Sequence, residues 1–315
     1  VEALRAAEEP VRGATAYVTL EPCCHFGKTP PCTEALIDSG IGRVIAAMED
    51  PSEHVGGGGF RRLRGAGIEA RSGCLESEAR RLNAPFLTLS EKGRPYIILK
   101  WAQSLNGHLI TPPGHPKAIS GPPARRWVHR LRARVDAILV GIGTVLDDDP
   151  SLTARGVQIR RVATRVVLDS RLRIPLRSQL VESAHGVSTL VITTREAAKR
   201  RRRHADRLQS AGVELELARS DRSRVNIADA LARLAARSMT NVLIEGGPEI
   251  LSECLRRGLA DEAFIFIAPR VIGGAAKAVL FPTDTPADVG ITKTRVGADT
   301  LCHVHFPTCS RTARP

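Results

Sequence analysis

Two cysteines at the ends of one short segment set the first chemistry. In Leu20-Glu21-Pro22-Cys23-Cys24-His25-Phe26-Gly27-Lys28-Thr29-Pro30-Pro31-Cys32, a Pro-Cys step follows a strand-like stretch, and a second cysteine stands where a helix opens. A helix N-terminus lowers a thiol's pKa, and two thiolates make half of a tetrahedral zinc site. Cys23 and Cys32 are the expected metal ligands. Cys24 should point away from Cys23 as a bystander. The plain alternative is a pair of small residues buried near a turn, and the repeated Pro-Cys frame argues against it.

The second half of the chain holds a different set of groups. Lys100 ends a strand-like run and leads into Trp101-Ala102-Gln103-Ser104-Leu105-Asn106-Gly107. Arg132 closes a helix-like stretch. Gly141-Ile142-Gly143-Thr144-Val145 follows a strand and precedes Asp148-Asp149-Pro150-Ser151-Leu152-Thr153-Ala154-Arg155. Small residues there admit a ligand to the backbone, whose N–H groups bind anions. An arginine fork suits a phosphate. Asn241-Val242-Leu243-Ile244-Glu245-Gly246-Gly247-Pro248 reads as strand, glycine turn and helix start, a second place for phosphate. Each motif alone has a plain reading: a solvated lysine, one arginine among many, an ordinary βα turn.

The elements that must position these groups alternate throughout. Strands are expected at 16–20, 43–48, 68–70, 96–100, 137–141, 165–168, 189–193, 213–217, 241–245, 262–267 and 301–306. Helices are expected at 30–39, 60–66, 76–82, 124–134, 196–210, 227–236 and 250–256. The runs at 137–141, 165–168 and 189–193 are continuously apolar, as in strands buried on both faces. A polar Gly/Pro stretch near 88–95 suits a domain boundary. The class is α/β. His303 and His305, with Cys302 before them, could form a metal site, but alternating residues of an edge strand are the expected reading.

Composition narrows the function. With 315 residues the chain exceeds a typical domain of roughly 100–200, so two domains are expected. No apolar run approaches the roughly 18 residues of a membrane helix, and no signal peptide opens the chain. A cytoplasmic enzyme with no membrane partner is expected. Lys and Arg number 46 against 33 Asp and Glu, a net charge of +13. Only seven of the 46 are Lys, spread along the chain, and the dense block is confined to 199–204. Aromatic residues make up 3%, too few for the stacking platforms of single-strand binders. A nucleic-acid partner is therefore not expected, and a steep loss of DNA affinity with salt would be its sign. The positive field also suits a small phosphorylated substrate. Seven cysteines, an odd number with three inside one short segment, read as a metal cluster in a reducing compartment.

Taken together, the Pro-Cys…Pro-Pro-Cys motif, Ala47-Met48-Glu49-Asp50-Pro51, Lys100 to Gly107, 141–155 and 241–251 resemble the bacterial bifunctional riboflavin-biosynthesis deaminase/reductases, along nearly the whole chain. The resemblance implies a truncated cytidine-deaminase-like αβα domain over 1–90. A dihydrofolate-reductase-like α/β domain over 91–308 and a tail at 309–315 would follow. It implies zinc on Cys23 and Cys32 and deamination of a phosphorylated diaminopyrimidine. NADPH-dependent reduction of its ribosyl group to a ribityl chain would come next. His25, Lys28, Arg132, Arg155 and Glu245 are then expected to hold substrate, with Lys100 and Glu245 at the reductase centre. NADPH contacts are expected at Ala102, Thr144, Asp148, Leu152 and Ser170, and at Gly247, Pro248, Glu249, Ile250, Leu251, Ser252 and Glu253. A homo-oligomer is expected. Asn106 stands where the family has Asp, and Pro116 and Ala118 where it commonly has Ser and Trp. The family's His-Ala-Glu element, its third zinc ligand and proton shuttle, would precede Val1, so the chain as numbered is expected to deaminate poorly. The alternative is a reductase with a non-catalytic N-terminal domain.

Overall fold

A computed structural model describes residues 1–27, 29–52, 55–111, 118–273, 278–279, 281 and 290–306. Lys28, Pro116 and the tail at 309–315 lie outside the described residues. The chain divides into two units, Val1–Gly93 and Arg94–Pro315.

The first unit is built on three parallel strands, β1 (Thr15–Val18), β2 (Arg43–Ala46) and β3 (Glu69–Arg71), in the order β1-β2-β3. Parallel neighbours need crossovers, and helices Cys32–Asp38 and Gly58–Gly65 supply them. Leu36, Val44, Phe60 and Leu63 meet in one core cluster. Two glycines are required by contact. A Cβ on Gly59 would lie 2.0 Å from the Pro22 carbonyl, and one on Gly58 would lie 2.9 Å from the Cys24 sulfur. The buried Glu21 carboxylate accepts from the backbone N–H of Asp50, Gly57 and Phe60 at 3.1–3.2 Å. It thus ties the glycine-rich loop beneath the cysteine segment.

The second unit begins with β4 (Tyr96–Ser104), β5 (Ala137–Gly141), β6 (Thr164–Leu168), β7 (Thr189–Thr194) and β8 (Glu214–Ala218). A small hairpin, β9 (Ser220–Asp221) and β10 (Arg224–Val225), follows. Then come β11 (Asn241–Ile244), β12 (Glu262–Ala268), β13 (Gly290–Val296) and β14 (Asp299–His305). Nine of these form a sheet in the order β13-β14-β12-β4-β11-β5-β6-β7-β8. The strands from β12 through β8 run parallel, and β13 and β14 are antiparallel additions. One face packs in a cluster with Val128, Leu131, Val167 and Phe266, the other with Ile97, Leu139, Leu231 and Leu251. The apolar runs therefore behave as strands buried on both faces. Fully burying one Leu or Ile contributes roughly 1.5–3 kcal/mol.

Several elements differ from the sequence reading. β4 runs on to Ser104, four residues past Lys100, because Trp101 and Ser104 are buried against β12. The helix expected over 196–210 is two, Arg195–Arg200 and Arg202–Ser210, broken at Arg201. β13 has no apolar alternation in Gly-Ile-Thr-Lys-Thr-Arg-Val and lies almost wholly exposed on the edge. Its addition makes β14 an inner strand, so His303 and His305 are not edge residues.

Candidate active sites

In the first unit, helix Cys32–Asp38 starts at Cys32, with Pro31 before it fixing the entry. The Cys32 backbone N–H donates to the Cys23 sulfur at 3.3 Å, and the Thr33 N–H donates to the Cys23 carbonyl at 3.2 Å. The two sulfurs are therefore neighbours at a helix start. Burial and the adjacent Cys23 sulfur push the Cys32 thiol up. A bound cation would reverse that by favouring both thiolates. Cys24 is separated from the pair: its sulfur abuts Gly58. His25 is exposed in the loop between the two cysteines. Among the described residues no third His, Cys or carboxylate joins Cys23 and Cys32 in a ligand cluster.

In the second unit, a strand-order reversal brings distant segments together. β4 leads to β5, but β11 returns between them. Crevices at such switch points, beyond the carboxyl ends of parallel strands, are where open α/β sheets bind ligands. Three charged side chains meet there. Lys100 comes from β4, Glu245 from the end of β11, and Arg132 from the last turn of helix Pro122–Arg132. Arg132 forks onto Glu245, with Nε to Oε1 at 2.7 Å and Nη2 to Oε2 at 2.9 Å. The Lys100 ammonium stands 3.9 Å from Oε2. The side chains of Lys100, Arg132 and Glu245 are only 17%, 14% and 9% exposed. Burial pushes the Glu245 carboxyl up, but Arg132 and Lys100 together bring it below its ordinary range. Burial pushes Lys100 down, only partly opposed by Glu245. The cluster is one carboxylate under two cations, with two of four carboxylate lone pairs taken by Arg132.

His129 completes this corner and was missed by the sequence reading. It lies one helical turn before Arg132, and its Nδ1 is buried without a hydrogen-bond partner among the described residues. Burial, then Arg132 and Arg155, hold it below the ordinary histidine range. The i, i+3 spacing on an amphipathic helix was the available signal.

The remaining residues expected to touch a ligand sit on several elements of the second unit. Thr144 and Asp148 ride on helix Ile142–Asp148, directly after β5. Leu152 is buried in the core with φ of 49°, so its side chain serves packing rather than ligand contact. Arg155 is exposed and donates to the Ser151 hydroxyl. Ser170 accepts from the Val225 N–H at 2.9 Å, fixing the small hairpin beside β6. Ala102 lies on β4 opposite Phe266. Gly247 caps helix Pro248–Arg256, and a Cβ there would meet nothing. Gly246 is glycine of necessity, because a Cβ would fall 2.0 Å from the Ile250 side chain. Glu249 pairs with Arg224 at 3.2 Å, Leu251 is buried in the core, and Glu253 is engaged by Arg256 and Arg257. Ser252 follows on the same helix.

Two observations bear on the other sequence departures. Asn106 fits its place: its Nδ2 donates to the Ile272 carbonyl at 2.8 Å, and its Oδ1 accepts from the Ile272 N–H at 3.1 Å. The basic block is partly structural, since Arg201 donates to the Leu172 carbonyl at 2.6 Å and His204 contacts the Ile174 carbonyl at 2.9 Å. Arg165, also unremarked in sequence, is wholly buried. It donates to Ser183, Leu180, Val187 and Thr189 at 2.5–3.1 Å, behind the 151–155 segment.

Comparison with known proteins accords with both halves. The RibD C-terminal domain matches residues 95–300, and the cytidine and deoxycytidylate deaminase zinc-binding region matches residues 1–48. Riboflavin biosynthesis protein RibD of Aquifex aeolicus is 42% identical over 273 residues, 87% of this chain and 74% of that protein. The Escherichia coli RibD is 38% identical, covering 88% and 76%. Among solved structures, Acinetobacter baumannii RibD superposes with a TM-score of 0.81 at 34% identity, covering 97% of this chain and 84% of that one. A Thermotoga maritima protein described as a diaminohydroxyphosphoribosylaminopyrimidine deaminase/5-amino-6-(5-phosphoribosylamino)uracil reductase gives 0.79 at 33% identity, covering 97% and 83%. The chain therefore belongs to the RibD family, the bifunctional deaminase/reductases of riboflavin biosynthesis.

Proposed function

We propose that the Lys100–Arg132–Glu245 corner is the reductase centre, where Glu245 and Lys100 hold the pyrimidine of a phosphorylated ribosylaminopyrimidine. The carrying observation is the buried carboxylate forked by Arg132 at 2.7 and 2.9 Å. That fork keeps Glu245 ionised and aimed, so its unused lone pairs can accept ring N–H groups. Arg132, expected among the substrate ligands, acts in this reading through Glu245. Arg155, exposed nearby in sequence to Ser151 and Thr153, takes the ribose phosphate. Lys100 supplies a donor with a positive charge.

The family's cofactor fits the second unit. The open backbone at Gly141, Gly143 and Gly247 leaves room for close approach, and the start of helix Pro248–Arg256 offers N–H groups to a phosphate. Thr144, Asp148, Leu152, Ala102, Ser170 and 247–253 are the proposed surroundings. Glu249, turned to Arg224, is held in an ion pair as the phosphate approaches. When bound, NADPH supplies the hydride for the opened ribose; the chain's part is to orient the pyrimidine and exclude water.

In the first unit, Cys23 and Cys32 would hold zinc, whose chemistry is the activation of water for deamination. The adjacent sulfurs at a helix start are the supporting observation, and His25 and Lys28 are the proposed substrate-loop residues. No helix among the described residues is long and apolar enough to cross a membrane. The six described cysteines are unpaired, which supports a reducing, cytoplasmic setting. Homo-oligomeric assembly belongs to the same proposal and is read by light scattering.

The deciding experiment follows NADPH oxidation with the deaminated substrate for the chain and for Glu245→Gln. The proposal expects oxidation in the first and near-background rates in the second. Equal rates would place the centre elsewhere.

A further inference from the structure

A second group of ligand-type side chains lies apart from both sites. Glu262 opens β12, and His303 and His305 lie on β14; the antiparallel register sets Glu262 opposite His305 and Phe264 opposite His303. One ligating atom from each of Glu262, His303 and His305 lies within 4.8 Å of the others. His303 Nε2 already contacts Glu262 Oε1. No Lys or Arg among the described residues pairs with Glu262.

We propose that Glu262, His303 and His305 form a binding site for a divalent transition-metal ion of the zinc type, stapling β12 to β14. Imidazole nitrogens with one carboxylate are the donor set such ions take, at roughly 2.0–2.2 Å. Tetrahedral ligands at that distance stand about 3.3–3.6 Å apart, so a small side-chain rotation closes the observed spacing. The site is partly built in advance. The His303 ring stacks on Phe264 with centroids 4.3 Å apart and an interplanar angle of 22°, which holds its plane. On the other side of β14, Gly290 faces His305 and puts no side chain over it. His305 is exposed, so a fourth position is left to water. The group is distinct from the reductase corner. On the sheet, Phe264 of β12 stands between His303 of β14 and Lys100 of β4, and its ring is packed against Trp127 with centroids 4.6 Å apart.

Cobalt(II) titration of the full chain tests this, because nitrogen–oxygen and thiolate sites differ in spectrum. The expected result is one equivalent bound without thiolate charge-transfer absorption, displaced by zinc, and retained in a Cys23→Ser/Cys32→Ser chain. His305→Asn, a change at an exposed residue, should weaken that equivalent by more than the roughly 10–100-fold that loss of an outer-shell partner costs. His303→Asn should do the same. Should the cysteine variant not fold, the unaltered chain still decides. There, His305→Asn must lower the stoichiometry by one and leave any thiolate band intact. Unchanged binding in His305→Asn and His303→Asn, or no such equivalent in the chain, overturns the proposal.

Discussion

The cysteine segment and the charged corner reach their chemistry by opposite routes. Cys23 and Cys32 are nine residues apart and are joined by one helix start. Arg132 and Glu245 are 113 residues apart and meet only because β11 inserts between β4 and β5. The first arrangement depends on local backbone, the second on the whole sheet. The energetics differ in the same way. The cysteine pair sits at intermediate exposure, whereas the corner places three charges where each loses most of its hydration. Damage to the corner should therefore spread into stability, and damage to the cysteine pair should stay with the metal.

The largest expected effect breaks the corner. Glu245→Ala leaves Arg132 and Lys100 as buried cations without their carboxylate, and removing one partner of a buried pair costs about 3–5 kcal/mol. Urea unfolding should show that loss together with near-background NADPH oxidation. A cost under about 1 kcal/mol would mean that the corner is solvated like a surface pair. Cys23→Ser and Cys32→Ser should instead each remove one equivalent of the zinc retained after dialysis, the thiolate-bound one, while Cys24→Ser keeps it and all three keep NADPH oxidation. Equal zinc loss from Cys24→Ser would overturn the ligand assignment.

A smaller effect sharpens the role of arginine. A charge-assisted hydrogen bond is worth about 1.5–3 kcal/mol, or roughly tenfold to 150-fold in affinity. Arg155→Ala should raise the substrate KM by that factor with little change in NADPH binding, and Lys should restore only part of it. Arg203 is the suitable control in the basic block, because Arg201 is bonded to the Leu172 carbonyl. An equal KM rise in Arg203→Ala would show a general field rather than a site.

Proton linkage gives a gentler test of the same corner. Burial holds Lys100 below its ordinary range, near 10.4 for a free lysine. As pH rises through the folded value toward the ordinary one, Lys100 loses its charge in the folded chain first. The unfolded chain then binds more protons, so Lys100's contribution to stability rises with pH in that window. NADPH oxidation should fall over the same window if the ammonium holds substrate. The opposite slopes are the signature; activity and stability falling together would point to unfolding instead.

How much of this was legible follows from the same contrast. The buried strands at 137–141, 165–168 and 189–193 announced themselves as apolar runs, and the cysteine frame was contiguous. The Arg132–Glu245 fork was not legible, because nothing in either segment names its partner. β13 was missed because an exposed edge strand carries no burial pattern. His129 was missed because its i, i+3 spacing from Arg132 says only that the two share a helix face, while its burial beside Arg132 comes from packing. Leu152 and Leu251 were legible as members of motifs, but their side chains serve the core.

The smallest effect concerns the turn that carries β4 past Lys100. Asn106 donates to the Ile272 carbonyl and accepts from the Ile272 N–H, and Ser104 donates to Asn106 Oδ1 at 2.8 Å. In Asn106→Asp the accepting half of this pair survives, since a carboxylate still takes the Ile272 N–H and the Ser104 hydroxyl. The donating half is lost, and a carboxylate oxygen then faces a carbonyl oxygen unless the side chain turns outward. Asn106 is exposed, so water replaces the lost partner. The cost should sit within the usual net range for one hydrogen bond, about 0.5–1.5 kcal/mol. For a unit of this size, 1 kcal/mol lowers Tm by roughly 2–4 °C. Scanning calorimetry should show a shift of that order while NADPH oxidation stays near that of the unaltered chain, because Lys100 is fixed within β4 by its pairing opposite Phe264 of β12. A fall in activity larger than the fall in stability would mean that the turn itself reaches the ligand, and the corner would then extend from three residues to the Ser104–Asn106 turn.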